Sequence, residues 1–202
     1  MSQNRTQQQG AAKPWLIAIV VVALVVLGVA GSYTGRYNNM VRLRENVKQT
    51  WSEVDVDIQR RADLIPNLVA TVKGFAKQEQ TVIGEVTKAR AALGGARTPG
   101  QTIAANNQMD GALSRLLVIV ENYPQLRSNQ NFLALQDELA GTENRIAVSR
   151  RQYNLAVQAY DAYISTFPNN VVAHFGGMPY NNDYFQTSEA NRKAPPKVNF
   201  NN

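Results

Sequence analysis

The sequence predicts an all-α protein: an N-terminal transmembrane helix followed by an elongated antiparallel bundle of three to four long helices. Three observations predict it. Residues 14–35 carry no charge. Apolar residues from Leu43 to Phe75 recur at steps of three and four. From Phe132 to Phe167 a seven-residue repeat is sustained. The implied division is a leader over 1–13, a transmembrane anchor over 14–35, a helical bundle over 36–168 and an irregular tail over 169–202.

The leader is rich in Gln, Asn and Ser and carries no core pattern, so it is expected to be disordered. The uncharged run that follows it, Pro14 to Gly35, is long enough to cross about 30 Å of hydrocarbon as a helix. Trp15 at one end and Tyr33 and Tyr37 at the other suit the two interfacial aromatic belts. Gly28 and Ala30 offer small residues for a signal-peptide cut, but no polar segment precedes them, which favours an uncleaved anchor. Basic residues near the span are Arg5 and Lys13 before it and Arg36, Arg42, Arg44 and Lys48 after it. A strict positive-inside count favours a cytoplasmic bundle. A short basic leader followed directly by an apolar run is instead the layout of a signal anchor, and we take the bundle as extracytoplasmic.

The first long helix is written in Leu43, Val47, Trp51, Val54, Ile58, Ala62, Ile65, Leu68, Val72 and Phe75. Their mean step of about 3.6 is the seam of an amphipathic helix. Continued to Leu93, such a helix reaches roughly 80 Å and needs partners laid along it to bury the stripe. Pro66 lacks a backbone donor and crowds the carbonyl four residues back, so a kink or short break is expected there. Asp57 with Arg61, and Arg60 with Asp63, have the spacing of ion pairs on a solvated helix face. The helix should end in Leu93-Gly94-Gly95, before Pro99.

A second helix is expected from near Thr102, with the stripe Met109, Leu113, Leu116 and Val120, ending at Asn122-Tyr123-Pro124. In the third, Phe132, Leu139, Ile146, Tyr153, Tyr160 and Phe167 recur every seven residues, with Leu135, Thr142, Ser149, Ala156 and Tyr163 between them. This is a coiled-coil-like seam, and its small polar members permit close approach of a neighbour. It runs to about Phe167, before Pro168. Beyond it a short helix near Val171 and an irregular tail with aromatic residues are expected. The tail either covers apolar surface or offers a peptide to a partner, and Ala194-Pro195-Pro196-Lys197 is extended.

Chemistry is scarce. His174 is the lone histidine and there is no cysteine, which leaves no thiolate metal site, no disulfide and no histidine relay within one chain. We read His174 as a half-exposed turn residue. Gly94-Gly95 lacks the lysine and the strand setting of a phosphate loop. Asp55 and Asp57 are two apart, hence about 200° apart around a helix, and cannot converge as a carboxylate pair. No catalytic, cofactor or metal residue is expected. From Arg36 onward 19 basic residues face 15 acidic ones without a clustered stripe, so nucleic acid is not an expected partner.

Arg44, Trp51, Asp55-Val56, Gln59-Arg60-Arg61 and Asp63-Leu64-Ile65-Pro66-Asn67-Leu68, with Phe167-Pro168 and the closing Pro196-Lys197-Val198-Asn199-Phe200, resemble the bacterial LemA family, whose magnetosome relatives are called MamQ. The resemblance covers roughly residues 15–200. It implies a single-pass protein of the bacterial inner membrane with a helical-bundle domain and no established enzymatic activity. The expected function is a non-enzymatic, membrane-anchored scaffold or adaptor for membrane or envelope proteins. Its expected partners are the bilayer, through residues 14–35, and other proteins. The alternative is a homo-oligomeric membrane-organising or ligand-binding module, for which Gly31/Gly35 supply a GxxxG spacing.

Overall fold

A computed structural model of the chain describes residues 14–186. The leader over 1–13, expected to be disordered, and Ala194-Pro195-Pro196-Lys197, expected to be extended, lie outside the described residues. Within them all regular structure is helical. The elements are α1 (Pro14–Phe75), α2 (Gln80–Gly95), α3 (Pro99–Val120), α4 (Pro124–Arg127), α5 (Gln130–Ser165) and α6 (Asn169–Phe175). Two compact units are distinguished. The first takes residues up to Arg42 together with Tyr163–Pro179, and the second takes Leu43–Ala162 together with residues from Tyr180 onward.

In the first unit, the large apolar side chains of α1 from Trp15 to Val29 are all exposed. A stretch this long and this apolar fits a single membrane crossing. By contrast Met40, Ile164, Val172, Ala173 and Met178 of the same unit are buried. Helix α6 closes with the Met178 amide donating to the Ala173 carbonyl (3.0 Å) across Gly177, whose φ of 63° is the left-handed turn of a Schellman cap. His174 therefore sits within a helix, exposed, rather than in a turn.

In the second unit the stripe expected from Val47 to Val72 turns inward, but Phe75 does not; Ala76 takes the buried place instead. The helix expected to continue to Leu93 stops at Phe75 and restarts at Gln80. The cause is a gap in the stripe: Lys77-Gln78-Glu79-Gln80 offers no apolar side chain at the next step, so one turn has nothing to bury. The Gln80 side chain caps the freed Lys77 carbonyl at 2.7 Å.

Of the kink or short break expected at Pro66, the break is absent: α1 runs through the proline. Proline cannot donate to the Ala62 carbonyl, which would be left without its helical partner. Arg90 of α2 donates to that carbonyl from Nε at 3.2 Å. Since Arg90 lies well along α2 and Ala62 well before the end of α1, the bond also shows that α2 folds back on α1.

Helix α3 starts earlier than its stripe suggested, because Thr98-Pro99-Gly100-Gln101 is a capping sequence. The Thr98 hydroxyl accepts from the Gln101 amide (3.3 Å), Pro99 occupies the first turn, and the Gln101 side chain accepts from the Arg97 amide (2.8 Å). The core joins Ile65, Leu68 and Val72 of α1 with Ile83 and Val86 of α2, Met109 and Leu116 of α3, Leu126 of α4 and Phe132 of α5.

Helix α5 has the length the heptads predicted, 36 residues. Phe132, Ile146, Tyr153 and Tyr160 are buried and Leu139 packs against the core. Phe167 falls past the helix end and is exposed. Thr142 and Ser149 are buried without loss, since their hydroxyls donate to the carbonyls of Leu139 (2.7 Å) and Arg145 (3.1 Å) one turn back.

Candidate functional site

Two structures in the second unit bring polar and aromatic residues together along α1 and α5. The first is an ion cluster. Arg61 is buried at 6 % exposure, and its Nη1 lies 2.5 Å from Asp110 Oδ1 of α3 and 2.8 Å from Glu143 Oε2 of α5. Arg150 Nη2 reaches Asp110 Oδ2 at 3.3 Å, and Asn106 donates to the same oxygen at 3.3 Å. The expectation that Arg61 pairs with Asp57 on a solvated face is therefore wrong. Arg61 projects inward to partners 49 and 82 residues away in sequence, while Asp57 faces Arg145 Nε at 3.9 Å. Asp63, expected to pair with Arg60, accepts from Gln59 Nε2 at 2.8 Å.

The second is an aromatic clamp on the chain that follows α6. Trp51 of α1, Tyr153 of α5 and Phe185 form a triangle with ring centroids 5.2, 6.2 and 5.9 Å apart. The Arg150 guanidinium lies 5.1 Å from the Phe185 ring centroid, so one arginine serves both the ion cluster and the clamp. Asn154 exchanges two hydrogen bonds with the Phe185 backbone, accepting from its amide (3.0 Å) and donating to its carbonyl (2.8 Å), as a neighbouring strand would. Asp161 accepts from the Asn181 amide and from the Tyr184 hydroxyl, both at 2.9 Å. Residues 181–185 thus cover part of α5. Sequence reasoning singled out Trp51 and Tyr153 but not Asn154 or Asp161; a lone amide and a lone acid on a long helix give no local signal.

Burial, together with the hydrogen bond to the Asp161 carboxylate, pushes the Tyr184 hydroxyl up to about 12 from an ordinary value of 10.0. Burial likewise raises Tyr153 and Tyr160. A phenol that binds its proton more tightly when folded stabilises the fold fully below the unfolded value, and that contribution is lost as pH rises through the folded value. The urea midpoint of the protein should therefore fall between pH 10 and pH 12. Tyr184→Phe should flatten that fall, which paired denaturation curves at the two limits will read.

Beside these clusters, α1 and α5 border an open groove of about 730 Å³. Val56 and Val148 line it, both exposed, with Glu53, Asp57, Asn144 and Arg145 around them. Apolar residues framed by polar ones suit an apolar side chain of another molecule. Of the acids singled out from sequence, Asp57 lines this groove while Asp55 is exposed elsewhere on α1, so the two do not converge. Among the described residues no group of three or more His, Cys, Asp or Glu side chains is placed to hold a metal ion.

A chain whose regular structure among the described residues is all helical, with one long, exposed, apolar N-terminal helix, belongs to the class that fits a single membrane crossing. Within that class this chain belongs to the LemA family, whose family model matches residues 50–200. It is 26 % identical to magnetosome protein MamQ 2 of Paramagnetospirillum magneticum, covering 85 % of this chain and 72 % of the relative. It is 25 % identical to protein LemA of Metamycoplasma hominis, covering 79 % and 73 %. Magnetosome protein MamQ of Magnetospirillum gryphiswaldense is 25 % identical over 81 % and 69 %. The names of these relatives are not names of enzymes.

Proposed function

We propose that this chain is a non-catalytic, membrane-anchored scaffold or adaptor for membrane or envelope proteins. Residues 14–35 cross the bacterial inner membrane once and a helical bundle over 36–168 lies outside the cytoplasm. The observation that carries the reading is the contrast along α1. Its large apolar side chains are exposed from Trp15 to Val29, then turn inward from Val47 to Val72. One helix thus serves first as a lipid-facing surface and then as a core strip. The groove beside Val56 and Val148 supports the adaptor part of the reading, because helical surfaces recognise partners through exposed apolar strips. A second reading, homo-oligomerisation through the anchor, is favoured by Gly31 and Gly35. A side chain built at either would meet nothing, so a neighbouring helix has room for close approach.

The test is a photo-crosslinking amino acid at Val148 in intact bacterial cells. A discrete adduct to an envelope protein, lost when Val56 is changed to lysine, is the expected result, and the compartment of the captured protein reports the side on which the bundle lies. An adduct to a second copy of the chain favours the oligomer. No adduct, or one indifferent to Val56→Lys, removes the groove from the argument.

A further inference from the structure

Helix α6 is apolar on two sides, and only one is used. Val172 and Ala173 are buried within the first unit, whereas Phe167 is 82 %, Val171 45 % and Phe175 77 % exposed. The three exposed residues are spaced by four, which sets Val171 and Phe175 on one helix face with Phe167 just before it. Folding gains nothing from two aromatic rings left in water.

The position of this face follows from what ties α6 down. Arg36 Nη1 donates to Asn169 Oδ1 at 2.7 Å, and Asn169, itself buried, donates to the Tyr163 carbonyl at 3.0 Å. At the other end of α6, Gly176 lies against the Tyr37 ring, where a Cβ would sit 2.9 Å from Cε2. Both ends of α6 are thereby held to consecutive residues of α1. Arg36 is the first charge after the uncharged run, at about 30 Å of helix beyond Trp15. That is the level at which the chain leaves the hydrocarbon. Tyr33 and Tyr37 stack there, with ring centroids 6.3 Å apart, as interfacial aromatics do.

We infer that Phe167, Val171 and Phe175 form a second membrane contact: a short face that lies in the interfacial layer of the bilayer beside the point where α1 emerges. The occupant of the face is lipid, at the shallow depth of about 5–10 Å that in-plane helices reach. The contact would make a two-point attachment from one spanning helix and one lying helix. This inference rests on residues 14–35 crossing the membrane.

The chain has no cysteine, so single cysteines can carry nitroxide labels without background. The full chain would be placed in phosphatidylcholine–phosphatidylglycerol nanodiscs with labels at Phe175→Cys, Val171→Cys, Leu24→Cys and Asn170→Cys, and collisions with oxygen and with a water-soluble nickel chelate compared. Leu24 reports the span, and Asn170, exposed on α6 away from the apolar face, reports water. The expected result is a severalfold higher oxygen-to-nickel ratio at Phe175 and Val171 than at Asn170, below that at Leu24. A deep Leu24 with Phe175 and Val171 matching Asn170 overturns the inference and leaves the span intact. A water-like Leu24 overturns both. Dipolar broadening at Phe175 that vanishes on dilution with unlabelled chain would assign the face to a second copy and also overturn it.

Discussion

Replacing Phe132 by alanine should lower the unfolding free energy of the full chain by about 3–5 kcal/mol, the cost of emptying a fully buried aromatic site. Phe132 is 1 % exposed and belongs to the cluster that joins five helices. It is also the residue whose amide donates to the Asn129 side chain (3.1 Å), so it sits in the first turn of α5, where the helix is set in place. A cavity there cannot be filled by an end that frays, because the cap keeps the turn formed. The measurement is urea denaturation in mild detergent, followed by the fluorescence of Trp51, which stacks on Phe185 and meets Tyr153 edge-on. The midpoint should drop with the slope unchanged. Leu133→Ala, on the neighbouring exposed position, should move it by no more than about 0.5 kcal/mol.

The second large effect is expected at Arg61. Arg61→Leu removes the cation that lies between Asp110 and Glu143; Asp110 keeps Arg150, whereas Glu143 Oε2 loses its 2.8 Å contact. Breaking one side of a buried ion pair costs about 3–5 kcal/mol, but Asp110 and Glu143 keep access to water and regain part of their hydration, so we expect roughly 2–3 kcal/mol. Arg61→Lys should recover part of the loss, because both carboxylates meet the single nitrogen Nη1, a contact that the three donors of an ammonium can imitate on a shorter stem. Adding Glu143→Gln to Arg61→Leu should restore about 1 kcal/mol or more, the signature of coupled charges in a double-mutant cycle. If Arg61→Leu unfolds at the urea concentration of the unaltered chain, the cluster is a surface ornament and not a tie between α1, α3 and α5.

These two residues also mark how far the sequence could be read. Phe132 was legible, since a heptad repeat states directly which side of a helix faces inward. So was the whole of α5 up to Tyr160. Arg61 was not. Its i−4 neighbour Asp57 satisfied a local rule, and nothing local reveals that the residue falls on the buried side of α1 with acids far along the chain. The halt of α1 at Phe75 was present in the sequence as a missing step in the stripe, but the helix signals on both sides concealed it. Thr98-Pro99-Gly100-Gln101 is a cap readable in the sequence, but the apolar stripe it serves begins well after it, at Met109. For the candidate site the balance is poorer. Val56 carried a family resemblance and Trp51 an aromatic signal, yet the groove exists only because α1 and α5 lie side by side, and Asn154 acquires its role only when Phe185 arrives.

The proline in α1 also has a meaning for register. A helix made only of self-sufficient turns is indifferent to where its neighbour stops, and can slide along it by one turn, about 5.4 Å, at little polar cost. Pro66 removes that indifference at one address. The Ala62 carbonyl needs a donor from outside its own helix, and Arg90 meets it only when α2 stands at one height. A slipped pairing would leave a half-buried carbonyl unanswered and an arginine with nothing to grip. The residue that looks like a flaw in the longest helix thus works as a notch, selecting one alignment of α1 and α2 from several that the apolar stripes alone would tolerate.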